Sequence, residues 1–460
     1  MHRSPRRSAV IVVLAPVVVL TLAVAFGCVA PEPDWDVPIG RPVPPGDGPN
    51  IVLIMADDLG YEGVGANGGT SYATPHLDRL AATGMRFEHC YSQPLCTPSR
   101  VQIMTGLYNQ RNYIRFGLLD PKANTFAHAL KQVGYATCVV GKWQLDGGLR
   151  GPRRFGFDEY CVWQLTRRPG RYPNPGIEAN GKEVDYRKGE YGPDVVSDEL
   201  CDFMERNRHR PFLAYYPMIL PHWPFEPTPD SPNWDPSSAG VLKGHGHQKY
   251  FADMVAYADK LVGKIVAKLD ELGIRHRTLV LFTSDNGASA EIRSQLAGRT
   301  VHGGKGTPTD AGTRVPLIAN WPGKIPAGSE CRDLIDFSDF YPTLADLADA
   351  PLPPAPGLDG RSFLPQLLGK RGDPRPWTYC WFSRDGGPEG IEFARTKRFK
   401  LYRTGGFYDI AVNPEETDPL TEAAVNRDGQ EAKALLASVL ESMRGTRRHF
   451  DPAQYKRQRR

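Results

Sequence analysis

The sequence is short of net charge. Its 56 Lys and Arg against 52 Asp and Glu leave a formal +4 over 460 residues, too weak a field to argue for a nucleic-acid partner. No segment repeats along the chain, which removes the stacked-repeat architectures. Cysteine is sparse as well. Of eight, Cys28 and Cys96 sit in distinct local motifs. Six remain: Cys90, Cys138, Cys161, Cys201, Cys331 and Cys380. They are enough for three disulfides whose connectivity sequence does not give. Cys138, inside an apolar run, reads instead as a buried free thiol. With 40% apolar and 23% charged residues the composition is that of an ordinary globular protein. The length suits one large domain plus a small one.

What is present begins with a targeting segment. Arg3, Arg6 and Arg7 precede an apolar run from Ala9 to Phe26, broken only by Pro16 and Thr21, and Gly27-Cys28 follows. Residues 1–28 read as a secretory signal, with lipoprotein processing and a membrane lipid anchor at Cys28 as its lipidated form. The expected destination is periplasmic or extracellular. An uncleaved anchor helix is the alternative, because the run approaches bilayer length. Residues 29–48, rich in Pro, Gly and Asp, read as a linker.

The core then opens with Asn50-Ile51-Val52-Leu53-Ile54-Met55, a continuous apolar run of the kind buried on both faces of a sheet. Similar runs recur at Tyr135–Val140, Phe212–Tyr216, Leu279–Phe282 and Val315–Ala319. Helical patterns lie between them, after Thr74-Pro75, after Thr125 and over residues 250–272. The alternation predicts an α/β domain over residues 49–350, with a large mixed, mostly parallel sheet flanked by helices. Pro-Leu-Pro-Pro-Ala-Pro-Gly at 351–357 marks a junction. Residues 351–450 read as a smaller α+β domain with a short antiparallel sheet (Glu392–Arg395, Phe399–Tyr402, Phe407–Ile410) and a final helix near 429–443. Residues 451–460 form a basic tail.

The most specific local feature is Pro94-Leu95-Cys96-Thr97-Pro98-Ser99-Arg100, followed by Val101-Gln102-Ile103-Met104-Thr105-Gly106. A cysteine taken alone is most often a small buried hydrophobe. Here Pro98 suits a helix's first turn, where its missing N–H costs nothing. Residues 99–105 therefore read as a helix with Cys96 at its N-terminus, where free N–H groups and the dipole favour an anion. Arg100, one turn in, carries a fork suited to tetrahedral oxyanions. The combination is a nucleophile beside an anion site.

Polar groups also recur just after the apolar strands. Asp57-Asp58 follow the first, Lys142 follows Val139-Val140-Gly141, Asp285-Asn286 follow Leu279–Thr283, and His222 lies in Pro221-His222-Trp223-Pro224. Singly each has a plain explanation as a cap, a turn or a surface group. Ligands of open α/β sheets bind at the carboxyl ends of strands, so together these groups are expected to converge. Three carboxylates and an amide oxygen form a hard, all-oxygen donor set. It suits Ca²⁺, or Mg²⁺ with added waters, better than Zn²⁺. Such a cation would polarise the reacting group and orient the nucleophile.

From about Pro49 to Asp409 the chain resembles the formylglycine-dependent sulfatases, arylsulfatase-like members of the alkaline-phosphatase-like superfamily. The resemblance rests on the Cys96 motif, Asp57-Asp58-Leu59-Gly60, Ser284-Asp285-Asn286-Gly287 and Gly141-Lys142-Trp143. Gly303-Gly304-Lys305 with Gly312-Thr313-Arg314-Val315-Pro316, and Phe407-Tyr408-Asp409 before Pro414-Glu415-Glu416, extend it. It implies that a formylglycine-generating enzyme oxidises Cys96 to an aldehyde during export. Asp57, Asp58, Asp285, Asn286 and the modified Cys96 would then hold Ca²⁺, with Mg²⁺ as the second choice. The hydrated aldehyde would attack sulfur with one hydroxyl, and the other would later expel sulfate. Arg100, Lys142 and Lys305 would stabilise developing charge and His222 would protonate the leaving alcohol. Lys142, Gln144, His222 and Lys305 would face the substrate.

One departure stands out. Gln144 follows Lys142-Trp143 where the family usually has His, and Gln cannot act as a base at neutral pH. Asp310-Ala311-Gly312 replaces a more usual Glu-Gly-Gly. Trp163, Arg167, Arg168, Arg171 and Tyr172 form a basic, aromatic insertion suited to an anionic sugar, or simply a solvated loop. The expected function is hydrolysis of sulfate esters, of carbohydrates in particular. The alternatives are a phosphate or phosphonate monoester hydrolase on the same site and a catalytically impaired sulfated-glycan-binding lipoprotein.

Overall fold

A computed structural model describes residues 48–241, 246–354, 357–448 and 450. The chain separates into Met1–Val37 and Pro38–Arg460, and every described residue belongs to the second unit. The signal segment, Cys28 and the basic tail lie outside the described residues.

Twelve strands precede residue 350. In chain order they are β1 (Asn50–Ala56), β2 (Met85–Tyr91), β3 (Ala136–Lys142), β4 (Glu159–Trp163), β5 (Gly176–Ala179) and β6 (Lys182–Asp185). Then come β7 (Phe212–Pro217), β8 (Thr278–Ser284), β9 (Arg293–Leu296), β10 (Arg299–His302), β11 (Leu317–Asn320) and β12 (Ser329–Asp336). Ten form one sheet in the order β12-β2-β11-β8-β1-β7-β3-β4-β5-β6, while β9 and β10 make a separate hairpin. The sheet is parallel through its centre, where β8, β1, β7, β3 and β4 run together. It turns antiparallel where β11 sits between β2 and β8 and again at β5 and β6. The mixed, mostly parallel sheet expected from the sequence is therefore present.

Strand β1 explains why the centre is buried on both faces. Ile51, Leu53 and Met55 enter one core cluster, while Val52, Ile54 and Ala56 enter the other, as period-two alternation requires. The helices Pro75–Ala82, Gly192–Arg206 and Phe251–Glu271 cover the second face with Leu77, Leu200 and Leu261. The helices Cys96–Thr105, Phe126–Gln132 and Phe340–Leu347 cover the first with Val101, Leu130 and Leu344. Thr125 caps its helix through a reciprocal pairing with His128, a capping box with histidine in the third position. Because the central strands are parallel, their carboxyl ends share one edge, and the polar groups after β1, β3, β7 and β8 arrive there together.

A second sheet follows, antiparallel in the order β13 (Thr378–Phe382), β14 (Ile391–Arg395), β15 (Phe399–Tyr402) and β16 (Phe407–Asp409). The amphipathic helix Arg427–Ser442 packs Leu436, Val439 and Leu440 into the same cluster as Phe399 and Phe407. This is the expected small α+β part.

Two expectations need correction. No disulfide forms among the described residues. Cys90, Cys96, Cys138, Cys161, Cys201, Cys331 and Cys380 are all free and buried. They are spread over separate strands and helices as small apolar core residues, which is what was expected of Cys138 alone. The strand expected from Val315 starts at Leu317, because the Val315 N–H donates to the Cys90 carbonyl instead (3.0 Å).

Candidate active site

Cys96 opens the helix Cys96–Thr105, which ends at Gly106 in the left-handed conformation (φ 67°). Several bonds fix the turn ahead of it. Ser99 Oγ accepts from the Gln93 N–H (3.0 Å) and donates to the Leu95 carbonyl (2.9 Å). Gln93 Nε2 donates to Gln102 Oε1 (2.6 Å), and Gln102 Nε2 to Asp336 Oδ1 (2.6 Å). The thiol is 2% exposed. Burial pushes its pKa up, against the pull of Lys142 and Lys305. A cysteine that works as a thiolate needs the opposite shift, so the unmodified thiol is a poor nucleophile here.

Around it, residues from distant parts of the chain meet at the sheet edge. Lys142 Nζ donates to both carboxylate oxygens of Asp57 at 2.7 Å. Arg100 Nη2 donates to Asp285 Oδ2 (2.8 Å), and its Nη1 to the Lys142 carbonyl (3.1 Å). Asn286 Nδ2 donates to Asp58 Oδ1 (2.7 Å), while Lys305 Nζ reaches Asp58 Oδ2 (2.5 Å) and His222 Nε2 (3.1 Å). Asp57, Asp58, Asp285, Asn286, Arg100 and Lys142 are all essentially inaccessible to solvent. Three buried carboxylates thus face three cations, which is how buried charge is tolerated. Burial still raises Asp57 to about 6, with Lys142 opposing it. Burial holds His222 well below its usual range, and Lys305, Lys142 and Arg171 add to the effect.

Two site residues also take a left-handed backbone, as several loop residues elsewhere do. Asp58 and Gln144 both sit at positive φ, 68° and 60°, a conformation that non-glycine residues hold only where the surroundings impose it. Gly141 meets a different demand. At φ 107° it lies where a Cβ would come 2.1 Å from the Pro217 carbonyl oxygen of β7, so only glycine lets β3 deliver Lys142 alongside β7.

The donor set fits a hard cation. Asn286 Oδ1 is buried and accepts no hydrogen bond, an amide oxygen turned away from every protein donor beside three carboxylates. Ligand atoms of Asp57, Asp58 and His222 also lie within 4.8 Å of one another. Asp285 is instead held by Arg100.

Above Cys96 lies a cleft of about 390 Å³, lined by Cys96, Gln144, His222 and Lys305 and walled by Trp163, Trp223, Arg168, Arg171 and Arg384. The insertion singled out in the sequence divides. Trp163, Arg168 and Arg171 line the cleft, and the Arg171 guanidinium stacks 3.9 Å from the Trp163 ring centroid. Arg167 turns away to Asp185 (2.6 Å) and Glu178 (3.4 Å). Tyr172 is buried beneath, its hydroxyl donating to the His222 and Ile219 carbonyls. Phe116 and Arg384 were not legible as site residues. They come from a loop and from the C-terminal part, and nothing local marks them. A larger cavity, about 570 Å³, opens near Thr105, Arg111 and Pro353. It holds none of these groups.

A family model, Sulfatase, matches residues 49–350. The chain belongs to the sulfatase family. Bovine arylsulfatase A is 32% identical over 450 residues, covering 87% of this chain and 82% of the relative. Mouse steryl-sulfatase is 32% identical over 417 residues, 70% of this chain, and the match spans 65% of that relative's length. The crystal structure of Ps i-CgsB in complex with k-i-k-neocarrahexaose superposes with a TM-score of 0.70 at 27% identity, covering 87% of this chain and 94% of that one. This sulfatase is therefore a sulfuric ester hydrolase by family, built on the family's mixed sheet with a small antiparallel sheet behind it.

Two contacts tie the small sheet of this sulfatase to the catalytic edge. Arg395 of β14 pairs with Asp310, and buried Lys400 of β15 donates to the Pro308 carbonyl and to Glu416 Oε1 (2.8 Å). Both grip the loop that carries Lys305. In the same loop the Gly306 N–H donates to the Pro94 carbonyl (2.8 Å), two residues before Cys96.

Proposed function

We propose that this sulfatase releases sulfate from sulfated carbohydrates, using a formylglycine made from Cys96 by a formylglycine-generating enzyme. The observation that carries the reading is the position of Cys96. It sits at a helix N-terminus on the floor of a cleft, beside Lys142, Lys305, His222 and the carboxylates of Asp57, Asp58 and Asp285. Asp57, Asp58, Asp285 and Asn286, with the modified Cys96, would hold Ca²⁺, or Mg²⁺ with added waters. The cation would supply Lewis-acid polarisation and charge neutralisation. The modified Cys96 would supply the attacking hydroxyl.

The remaining roles fall to residues whose contacts suit them. Lys142 and Arg100 are fixed by buried ion pairs and Lys305 by a part-buried one, so they meet developing negative charge without reorganising. His222 is oriented by the Trp223 carbonyl, which accepts its Nδ1–H, with Arg171 Nη1 packed 3.0 Å from the same nitrogen. Its Nε2 lies 3.1 Å from Lys305 Nζ, so the ring, which burial keeps neutral, would relay a proton from that ammonium to the leaving alcohol. Gln144 lines the cleft with its Oε1 buried and unpartnered. It binds substrate there but supplies no base.

The carbohydrate reading rests on the half-buried Trp223 beside cationic groups in the cleft lining and on the sugar bound by Ps i-CgsB. Export rests on residues 1–28, with Cys28 as a candidate lipid anchor. No helix among the described residues is long and apolar enough to cross a membrane. The test is sulfate release from a panel of monosulfated sugars and from an aryl sulfate, by protein co-expressed with a formylglycine-generating enzyme. Hydrolysis of sulfate esters faster than matched phosphate esters is expected. Faster phosphate release would replace this reading with the monoester-phosphatase one.

A further inference from the structure

The cleft wall carries positive charge that a single sulfate ester does not call for. Its described lining includes no Asp or Glu, yet it presents Lys305, Arg168, Arg171 and Arg384. Lys305 is committed to Asp58 and His222 on the floor. The three arginines are not. Arg171 lies flat on Trp163 (3.9 Å) and within 5.8 Å of the Trp223 ring centroid, with one guanidinium nitrogen at His222 Nδ1. Among the described residues no carboxylate reaches it at ion-pair distance. Arg168 is exposed, and among the described residues it is held by the Gln164 amide oxygen once that amide is turned towards it (3.2 Å). Arg384 reaches over from the C-terminal part, 5.2 Å from the Phe116 ring centroid, and its acidic neighbour Asp385 is a loose 3.6 Å away.

A monosulfated neutral sugar would cover these guanidinium groups and strip their water without returning a partner, at a cost to binding. An anion on the leaving-group side would pair with them in the planar, two-toothed way that arginine favours. Trp223, half-buried in the same lining, is an aromatic group beside them. Resting on the sulfatase reading above, we infer that the preferred substrate carries a second anionic group, a carboxylate or another sulfate, on the leaving-group sugar or its neighbour. Arg168, Arg171 and Arg384 are the specificity-determining residues that read it.

The experiment compares kcat/KM of the formylglycine form on four compounds. They are an aryl sulfate, a neutral monosulfated sugar, the same sugar with a second sulfate, and the monosulfated sugar linked to a uronic acid. At least one two-anion substrate is expected to exceed the neutral monosulfated sugar by about 30-fold or more. That preference should shrink as salt rises. The winner between the last two identifies the second group as sulfate or carboxylate. In the double variant Arg168→Gln, Arg384→Gln the ratio of two-anion to one-anion substrate should fall towards one. Equal kcat/KM across the sulfated sugars in the unmutated enzyme overturns the inference while leaving the sulfatase reading intact. Failure on every sulfate ester, the aryl sulfate included, overturns the sulfatase reading itself.

Discussion

At the floor of the cleft Asp57, Asp58 and Asp285 meet Lys142, Lys305 and Arg100 three against three, all within hydrogen-bonded pairs and, apart from the partly exposed Lys305, almost wholly out of water. Along the wall Arg168 and Arg384 are exposed and Arg171 is half-buried on Trp163, with no acid in the described lining. The floor is built at the ends of parallel strands, where side-chain direction is fixed by the sheet. The wall comes from loops and from the C-terminal part. Chemistry that must be the same for every sulfate ester sits on the rigid edge, and selection among esters falls to the segments that can vary.

The sharpest way to break that division is at the floor. Cys96→Ala should lower turnover of every sulfate ester by about 10⁴-fold or more, because no other group beside it can be the nucleophile. An equal loss on all substrates is expected in a steady-state assay. A loss confined to two-anion substrates would place Cys96 with the wall. Next in size, Lys142→Ala and Lys305→Ala should each cost about 10²- to 10³-fold in kcat, the usual worth of one fixed group that meets developing charge. Chelation followed by Ca²⁺ or Mg²⁺ readdition measures the cation's share at the same floor.

Bracing between the two parts gives a smaller effect. Arg395 is 2% exposed at its side chain and pairs with Asp310. Arg395→Ala therefore removes the paired partner of a half-buried carboxylate that Lys400 and Arg314 still attract, and should cost about 1–3 kcal/mol by chemical denaturation. The double variant with Asp310→Asn should recover part of it. Should the single variant lose no stability, the small sheet would not be holding the Lys305 loop.

Most of the floor was legible in the sequence, and the reason is physical. Continuous apolar runs mark β1, β3, β7 and β8, and in a parallel sheet the residues just after such runs must converge. Asp57, Lys142, His222 and Asp285 could thus be placed by strand logic and family resemblance together. The wall was legible only in residue type. Arg167 and Arg171 look alike in sequence, but Glu178 and Asp185 on β5 and β6 draw the first away, and strands of four residues carry too little alternation to fix their register. Arg384 became visible only once the C-terminal sheet had docked. The free cysteines were misjudged for a related reason. Pairing depends on side-chain geometry across the sheet that no spacing reveals.

Gln144 lies on the boundary between floor and wall. Its Oε1 is buried and unpartnered and its φ is 60°, at the position where the family resemblance expects His. Gln144→His should raise steady-state turnover by about tenfold if release of sulfate is slow for want of that base. Unmutated enzyme should then show a burst of alcohol ahead of sulfate. A burst-free time course would contradict this. The smallest expected effect concerns Glu62, just beyond the Asp57-Asp58 motif. Burial raises its carboxyl to about 7, above its unfolded value near 4.3. Between those values the folded protein binds the extra proton, so stability from this group is present below about pH 4 and declines as pH rises towards 7. Denaturant titrations across that window should show the decline, and Glu62→Gln should flatten it.

The measurement that tests the account most directly is the mass of the peptide carrying Cys96, taken from protein active on sulfate esters. A lighter peptide that reacts with aldehyde reagents is the predicted result, with activity rising in step with its fraction. An intact thiol in fully active protein would contradict the central claim, because the buried, upshifted Cys96 would then have to act without conversion.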